Sequence, residues 1–132
     1  MSLPPSRVDL RPVQAGGPPV YLAGATPAAL ERVGRRAAGW LTFDAIPDEM
    51  MAGMRAAIAR AAEEAGRDPG AIRTVVRINA KAGETTSRLA GRVNRARDLG
   101  ADEVIVDFFF AQPTIDRMLG AAEPLVSLRA DA

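Results

Sequence analysis

Along this chain one phrase returns four times: a short apolar run, then a stretch whose apolar residues recur every three or four positions. The first run is Pro19-Val20-Tyr21-Leu22-Ala23-Gly24. It is apolar nearly throughout and bounded by Pro and Gly, as suits a strand buried on both sides. Thr26-Pro27 supplies an N-cap and a first-turn proline. The helix they predict runs to about Ala37, with Leu30 and Val33 inward and Glu31, Arg32, Arg35 and Arg36 outward. The second run is Gly39-Trp40-Leu41-Thr42-Phe43, followed by a loop, Asp44-Ala45-Ile46. Pro47-Asp48-Glu49 then opens a helix with acidic residues where the macrodipole favours them. Met50, Met54, Ala57, Ile58 and Ala61 mark its predicted inner face, and Gly66-Arg67-Asp68-Pro69-Gly70 stops it. The third run, Ile72 to Asn79, is rich in β-branched residues and predicts a strand. A helix from about Glu84 to Leu99 follows it, capped by Gly100. The fourth run spans Asp102 to Phe109; Gln112-Pro113 opens a last helix through about Leu119, and Leu125 to Leu128 trail it.

Parallel neighbours need crossover connections, and these helices supply them. The expected fold class is therefore α/β: four βα units with a parallel sheet. Residues 1–18, rich in Pro and Gly and without periodicity, predict an extended lead-in; residues 19–132 form the domain. With 132 residues, 48% hydrophobic and 25% charged, the chain reads as globular. Its net charge of +1 argues against nucleic acid as a partner. No apolar run reaches the roughly 18 residues of a membrane span. Residues 1–14 lack the apolar core of a signal peptide, so the expected location is cytoplasmic. There is no Cys and no His. Disulfides, thiol nucleophiles and Cys/His metal centres are excluded, and so is the commonest general base. Any catalysis is expected to draw most of its chemistry from a cofactor or a partner.

Candidate residues gather where strands should end. Gly24-Ala25-Thr26 closes a strand and opens a helix, so its backbone N–H groups could hold an anion; the same residues also make an ordinary βα turn with a Thr cap. Thr42, Phe43 and Asp44 end the second strand; Asp44 is either a polar contact to substrate or cofactor, or the residue that turns the loop. Trp40 is a core or bottom-rim aromatic, or else a stacking surface. Asn79 and Lys81 end the third strand. Asp107, between Val106 and Phe108, needs a partner if buried, and Arg77 is the expected one. In Phe108-Phe109-Phe110, strand alternation would send the first and third ring to one face and the second to the other, as core or as contact surface. Met50, Met51 and Met54 read as helix packing, and Arg88, Arg92 and Arg95 as a solvated basic stripe.

Between residues 19 and 40 the pattern becomes specific. The strand ending in Ala23-Gly24, the helix from Pro27 to Ala37 with its Ala29-Leu30 pair and basic residues, and Gly39-Trp40 together resemble the luciferase-like monooxygenase family. That family often has a glycine pair where this chain has Ala23-Gly24, and Asp where it has Ala38. Ala65-Gly66-Arg67-Asp68-Pro69 is similar to a recurrent family turn, and Leu99 to Val106 to its last barrel strand; the likeness spans roughly residues 12–122. The resemblance implies oxidation or hydride-transfer chemistry on FMN or a deazaflavin (coenzyme F-420), at the C-terminal ends of barrel strands. On it the expected cofactor-binding residues are Gly24, Ala25, Thr26 and Asp44.

A complete barrel needs about 250 residues and eight βα units, and this chain has about half of each. The expectation is a partial, half TIM-type barrel that lacks the N-terminal units, which in this family supply much of the pocket. Two unpaired edges and an apolar inner face predict a homodimer. Three functions stay open at this point. One is an oxidoreductase that binds cofactor only in an assembly, and another is a dimerising module without an intact site. The third is a small open α/β domain with an anion at residues 24–26, which would require a strand-order reversal.

Overall fold

The computed structural model describes residues 11–112 and 114–128. Its elements, in chain order, are β1 (Tyr21–Ala23), α1 (Pro27–Arg36), β2 (Gly39–Phe43), α2 (Asp48–Glu64), β3 (Arg73–Asn79), α3 (Thr86–Asp98), β4 (Glu103–Asp107) and α4 (Ile115–Ala122), with 3-10 turns at Pro69–Ala71 and Glu123–Leu128. Residues 11–20 contain no helix or strand, and the expected lead-in before them lies outside the described residues, as does Pro113 at the head of the last helix.

Local chemistry sets the helix starts. The Thr26 hydroxyl accepts from the Ala29 N–H at 3.3 Å, and Thr85 and Thr114 do the same for Arg88 and Arg117. The helix ends are held by arginines from neighbouring units. Arg67 donates to the Ala37 carbonyl at 2.6 Å, and Arg55 reaches the Leu99 and Gly100 carbonyls, the latter at 2.7 Å. Carbonyls left without partners at a helix end are thus satisfied by charged donors. α1 and α2 approach closely because position 34 is glycine; a Cβ there would sit 2.7 Å from the Ala61 Cβ.

All four strands are parallel and their spatial order is their chain order, β1-β2-β3-β4. No strand order reverses, so the crevice that an open doubly wound domain would offer is absent from the described sheet. The fold is α/β, four βα units forming half of a TIM-type barrel. Leu22, Trp40 and Thr74 share one row of the sheet, and Thr42, Val76 and Val104 the next. This face is covered. Trp40 packs with Leu30, Val33, Ile46, Met51 and Ile58 in one cluster; Val76 and Ile78 pack with Leu89, Val93 and Ala96 in another. Helices α1, α2 and α3 therefore lie on the same side.

The opposite face carries Tyr21, Leu41, Phe43, Arg73, Arg77, Ile105 and Asp107, and much of it is open: Phe43 is 49% and Ile105 43% exposed. Val75 and Gly39 are the buried positions there, Gly39 lying under the Tyr21 ring. α4 borders this face. Met118, Leu119 and Ala122 line a groove of about 550 Å³ with Arg77, Ile105, Asp107 and Phe109.

Three sequence expectations are corrected here. Met51, not Met50, is the buried residue at the start of α2, while Met54, Ala57, Ile58 and Ala61 lie on its packed side as expected; Met50 is exposed. β4 ends at Asp107, so strand alternation does not reach the three phenylalanines. Phe108 joins the second cluster, while Phe109 and Phe110 meet edge to face at 4.9 Å in an exposed turn. The arginines of α3 are not a uniform solvated face. Arg88 is exposed, but Arg92 and Arg95 are drawn into loops of the preceding units.

Candidate functional site

Parallel strands end together, so β1 to β4 deliver their following loops to one rim. On that rim stand Gly24 to Thr26, Asp44, Asn79 to Lys81, and Asp107 to Phe109. Gly24 holds φ at 140°, which favours glycine, and a Cβ there would meet the Ala29 Cβ at 2.6 Å. Its carbonyl accepts from the Trp40 indole N–H at 3.0 Å. Trp40 thereby fixes the turn from beneath. It is a buried core residue on the helix side, not a stacking surface on the open face. Gly24, Ala25 and Thr26 are all exposed, at the positive end of α1. The Thr26 hydroxyl is committed to its cap. What the turn offers a ligand is backbone and the helix N-terminus.

Asp44 is held differently. Its carboxylate accepts from Arg92 Nε at 2.7 Å, and Arg92 also reaches Glu84 at 2.8 Å and the Asn79 carbonyl at 3.2 Å. One guanidinium from α3 thus ties the loops after β2 and β3 together. The Glu84 side chain is 4% exposed. Burial pushes its carboxyl up, but the Lys81 backbone N–H and the Arg92 guanidinium outweigh this, and it titrates below the ordinary carboxylate range. The two carboxylates, Asp44 first, hold Arg92 charged more firmly than usual. Arg95 secures the same loop by donating to the Asp44 carbonyl at 3.0 Å and pairing with Asp48. Among the described residues no buried side-chain polar atom lacks a partner.

The expected Arg77–Asp107 pair is present, on the open face beside the groove. The Asp107 carboxyl is lowered first by the Phe109 backbone N–H and then by Arg77. It is a carboxylate held in its charged form by its partners. Thr42 is buried under the helices, whereas Phe43, one position on, faces the open side. Asn79 and Lys81 are exposed on the rim.

The structure brings Asp44 and the β3 loop together and puts Gly24 to Thr26 on the same rim, the two joined by no hydrogen bond among those described. Glu84 and Arg92 are the residues that sequence reasoning missed. The signal available was Glu84 just ahead of the Thr85 cap, which predicts a local bond to the chain before the helix; nothing local pointed to Asp44, which lies 48 positions from Arg92. No cluster of metal-ligating groups occurs among the described residues.

Parallel βα units in chain order, with a rim built from the loops after the strands, define half of a TIM-type barrel. The sequence model of the family described as luciferase-like monooxygenase matches residues 2–115, and the chain belongs to that family. Among curated proteins none matches it. Its fold is similar to the structure of the coenzyme F420 dependent tetrahydromethanopterin reductase from Methanopyrus kandleri, with a TM-score of 0.60 and 13% identity. The likeness covers 79% of this chain and 48% of that one, so this chain spans about half the length of its structural neighbour. No helix among the described residues is long and apolar enough to cross a membrane.

Proposed function

We propose that this chain supplies the C-terminal βα units of a flavin- or deazaflavin-dependent oxidoreductase and holds its cofactor only in an assembly that completes the barrel. The observation that carries the reading is the rim of the parallel sheet in a chain of this family: exposed backbone at Gly24–Thr26 at the head of α1, beside an Asp44 loop fixed by Arg92. FMN or coenzyme F-420 fits such a rim in kind. Backbone N–H groups at a helix N-terminus suit a phosphate. Gly24, Ala25 and Thr26 would hold that phosphate, and Asp44 would accept a hydrogen bond from a cofactor or substrate hydroxyl. When bound, the cofactor supplies the redox chemistry, which a chain without His or Cys does not offer. Arg92 is a positioning residue in this scheme, since it keeps Asp44 and the β3 loop in one geometry. A cytoplasmic location belongs to the same reading.

Titration of the purified chain with FMN, and separately with F-420, tests it by fluorescence quenching and by melting temperature. Saturable binding is expected, with a stabilisation of about 2.7 kcal/mol when ligand reaches about a hundred times its dissociation constant. Ala25→Asp places a negative charge on the turn and should weaken binding about tenfold or more, with stability changed by no more than about 0.5 kcal/mol. Neither cofactor quenching nor shifting the melt would end the reading.

A second reading is a dimerising module with no intact site. The open face favours it, because Phe43 and Ile105 are presented to solvent beside the exposed Phe109 and Phe110. Association without any cofactor binding would select it.

A further inference from the structure

We propose that the open face of the sheet is closed by a second copy of this chain, β4 of each copy running beside β1 of the other, so that two four-stranded sheets form one eight-stranded parallel barrel. This rests on the assembly invoked above and names its partner and its contacts.

The two edges of the sheet are unlike. Among the described residues β1 pairs with β2 alone and β4 with β3 alone, so each presents a row of unused backbone donors and acceptors. Large apolar groups stand exposed just past the C-terminal end of β4, Phe109 at 68% and Phe110 at 82%, while Leu119 of α4 lines the groove on the open face. The exposed apolar groups at and past the C-terminal end of β1 are small, Ala23, Ala25, Pro27 and Ala28, the larger exposed Val20 lying before the strand's other end. Parallel pairing of β4 with β1 brings the C-terminal ends of the two strands together, where the large set lies on one and the small set on the other. Bulk then meets room. Stacking two sheets face to face would instead cover Phe43 and Ile105 and leave both edges, with their apolar fringes, in water.

Charge is consistent with closure by a like copy. The open face carries two cations, Arg73 and Arg77, and two anions, Glu103 and Asp107, with Arg77 and Asp107 already paired. Two such faces enclose no net charge, which a water-poor interior requires. A head-to-tail contact closes into a ring when its rotation divides a full turn. Here half a turn suffices, because about eight strands give a barrel just wide enough for side chains to fill. The barrel axis becomes the twofold axis, and the rim bearing Gly24 to Thr26 and Asp44 appears twice around one mouth.

The chain has no cysteine, so crosslinking sites can be introduced cleanly. Sedimentation of the wild-type chain without cofactor should give the mass of two chains at micromolar concentration. The double variant Ala25→Cys, Phe109→Cys, treated with a short bismaleimide, should yield covalent dimer. Each single variant should yield about tenfold less, because like positions then face one another across the barrel. A one-chain mass overturns the proposal. A two-chain mass with efficient crosslinking of either single variant overturns it too, since that requires a different contact. A dimer that binds no cofactor leaves the proposal standing and removes the cofactor reading; a monomer that binds FMN overturns the proposal and with it the requirement for an assembly.

Discussion

On the helix-covered face of the sheet, Trp40, Thr42, Val76 and Ile78 are each at most 5% exposed, yet one step along the same strands Phe43 reaches 49%. Apolar residues occupy both faces in the sequence, and all these positions lie in strands of one parallel sheet. Parallel strands in α/β proteins are ordinarily buried on both faces, and these runs are written for that condition. The covered face achieves it within one chain through α1, α2 and α3. On the other face α4 borders a groove at the β4 end but leaves Phe43 and Ile105 open. Burial of one face is complete within the chain, and burial of the other is not.

The largest effect should fall on the covered face. Trp40→Ala removes the biggest fully buried side chain and the indole bond to the Gly24 carbonyl. It should cost about 4 kcal/mol in chemical denaturation; a cost below about 1 kcal/mol would mean that this cluster is not the core.

A middle-sized effect belongs to the rim. Glu84→Gln keeps an acceptor for the Lys81 N–H but takes one charge from the Arg92 network, and should cost about 2 kcal/mol near neutral pH. Its sign with pH follows from the lowered carboxyl. A group whose folded value lies below its unfolded one stabilises above the unfolded value and stops doing so as pH falls through the folded one. The gap between wild type and Glu84→Gln should therefore be full above about pH 5 and shrink below about pH 4. A gap that grew on acidification would contradict the network. Asp107 has the same sign and adds to the acid loss of the wild type.

The smallest effect on the isolated chain should come from the open face. Phe43→Ser with Ile105→Ser should change its stability by no more than about 0.5 kcal/mol at high dilution. At higher protein concentration the wild-type melting temperature should rise and that of the double variant should not, because only the wild type gains from association. Equal concentration dependence of the two would mean that the open face is not the contact.

How much of this was legible in the sequence varies by element. β2 was read at its observed bounds, and β3 to within a residue, because apolar runs flanked by Gly and Pro are local signals. The Thr26, Thr85 and Thr114 caps need nothing beyond a few neighbouring residues, and the first of them was read directly. The phase of α2 is legible from Met54 to Ala61 but not in its first turn, since Met50 and Met51 are equally apolar and only the packing partner chooses between them. At the candidate site the turn at Gly24 was visible as a break in the pattern, and the Arg77–Asp107 pair as a charge in need of a partner. The bridge from Arg92 to Asp44 was not visible, and the stripe containing Arg92 looked like ordinary solvated helix.

The sequence by itself determined the order and type of the elements and the turns between them, because hydrophobic period, caps and glycine positions act over a few residues. It also determined that no thiol and no imidazole takes part in whatever the chain does, because composition alone removes His and Cys. Tertiary structure decided which face of the sheet is clothed, which arginines are spent on carbonyls and carboxylates, and where the loops meet. Those outcomes depend on side chains tens of positions apart, such as Asp44 and Arg92, meeting only once the strands have stacked in register.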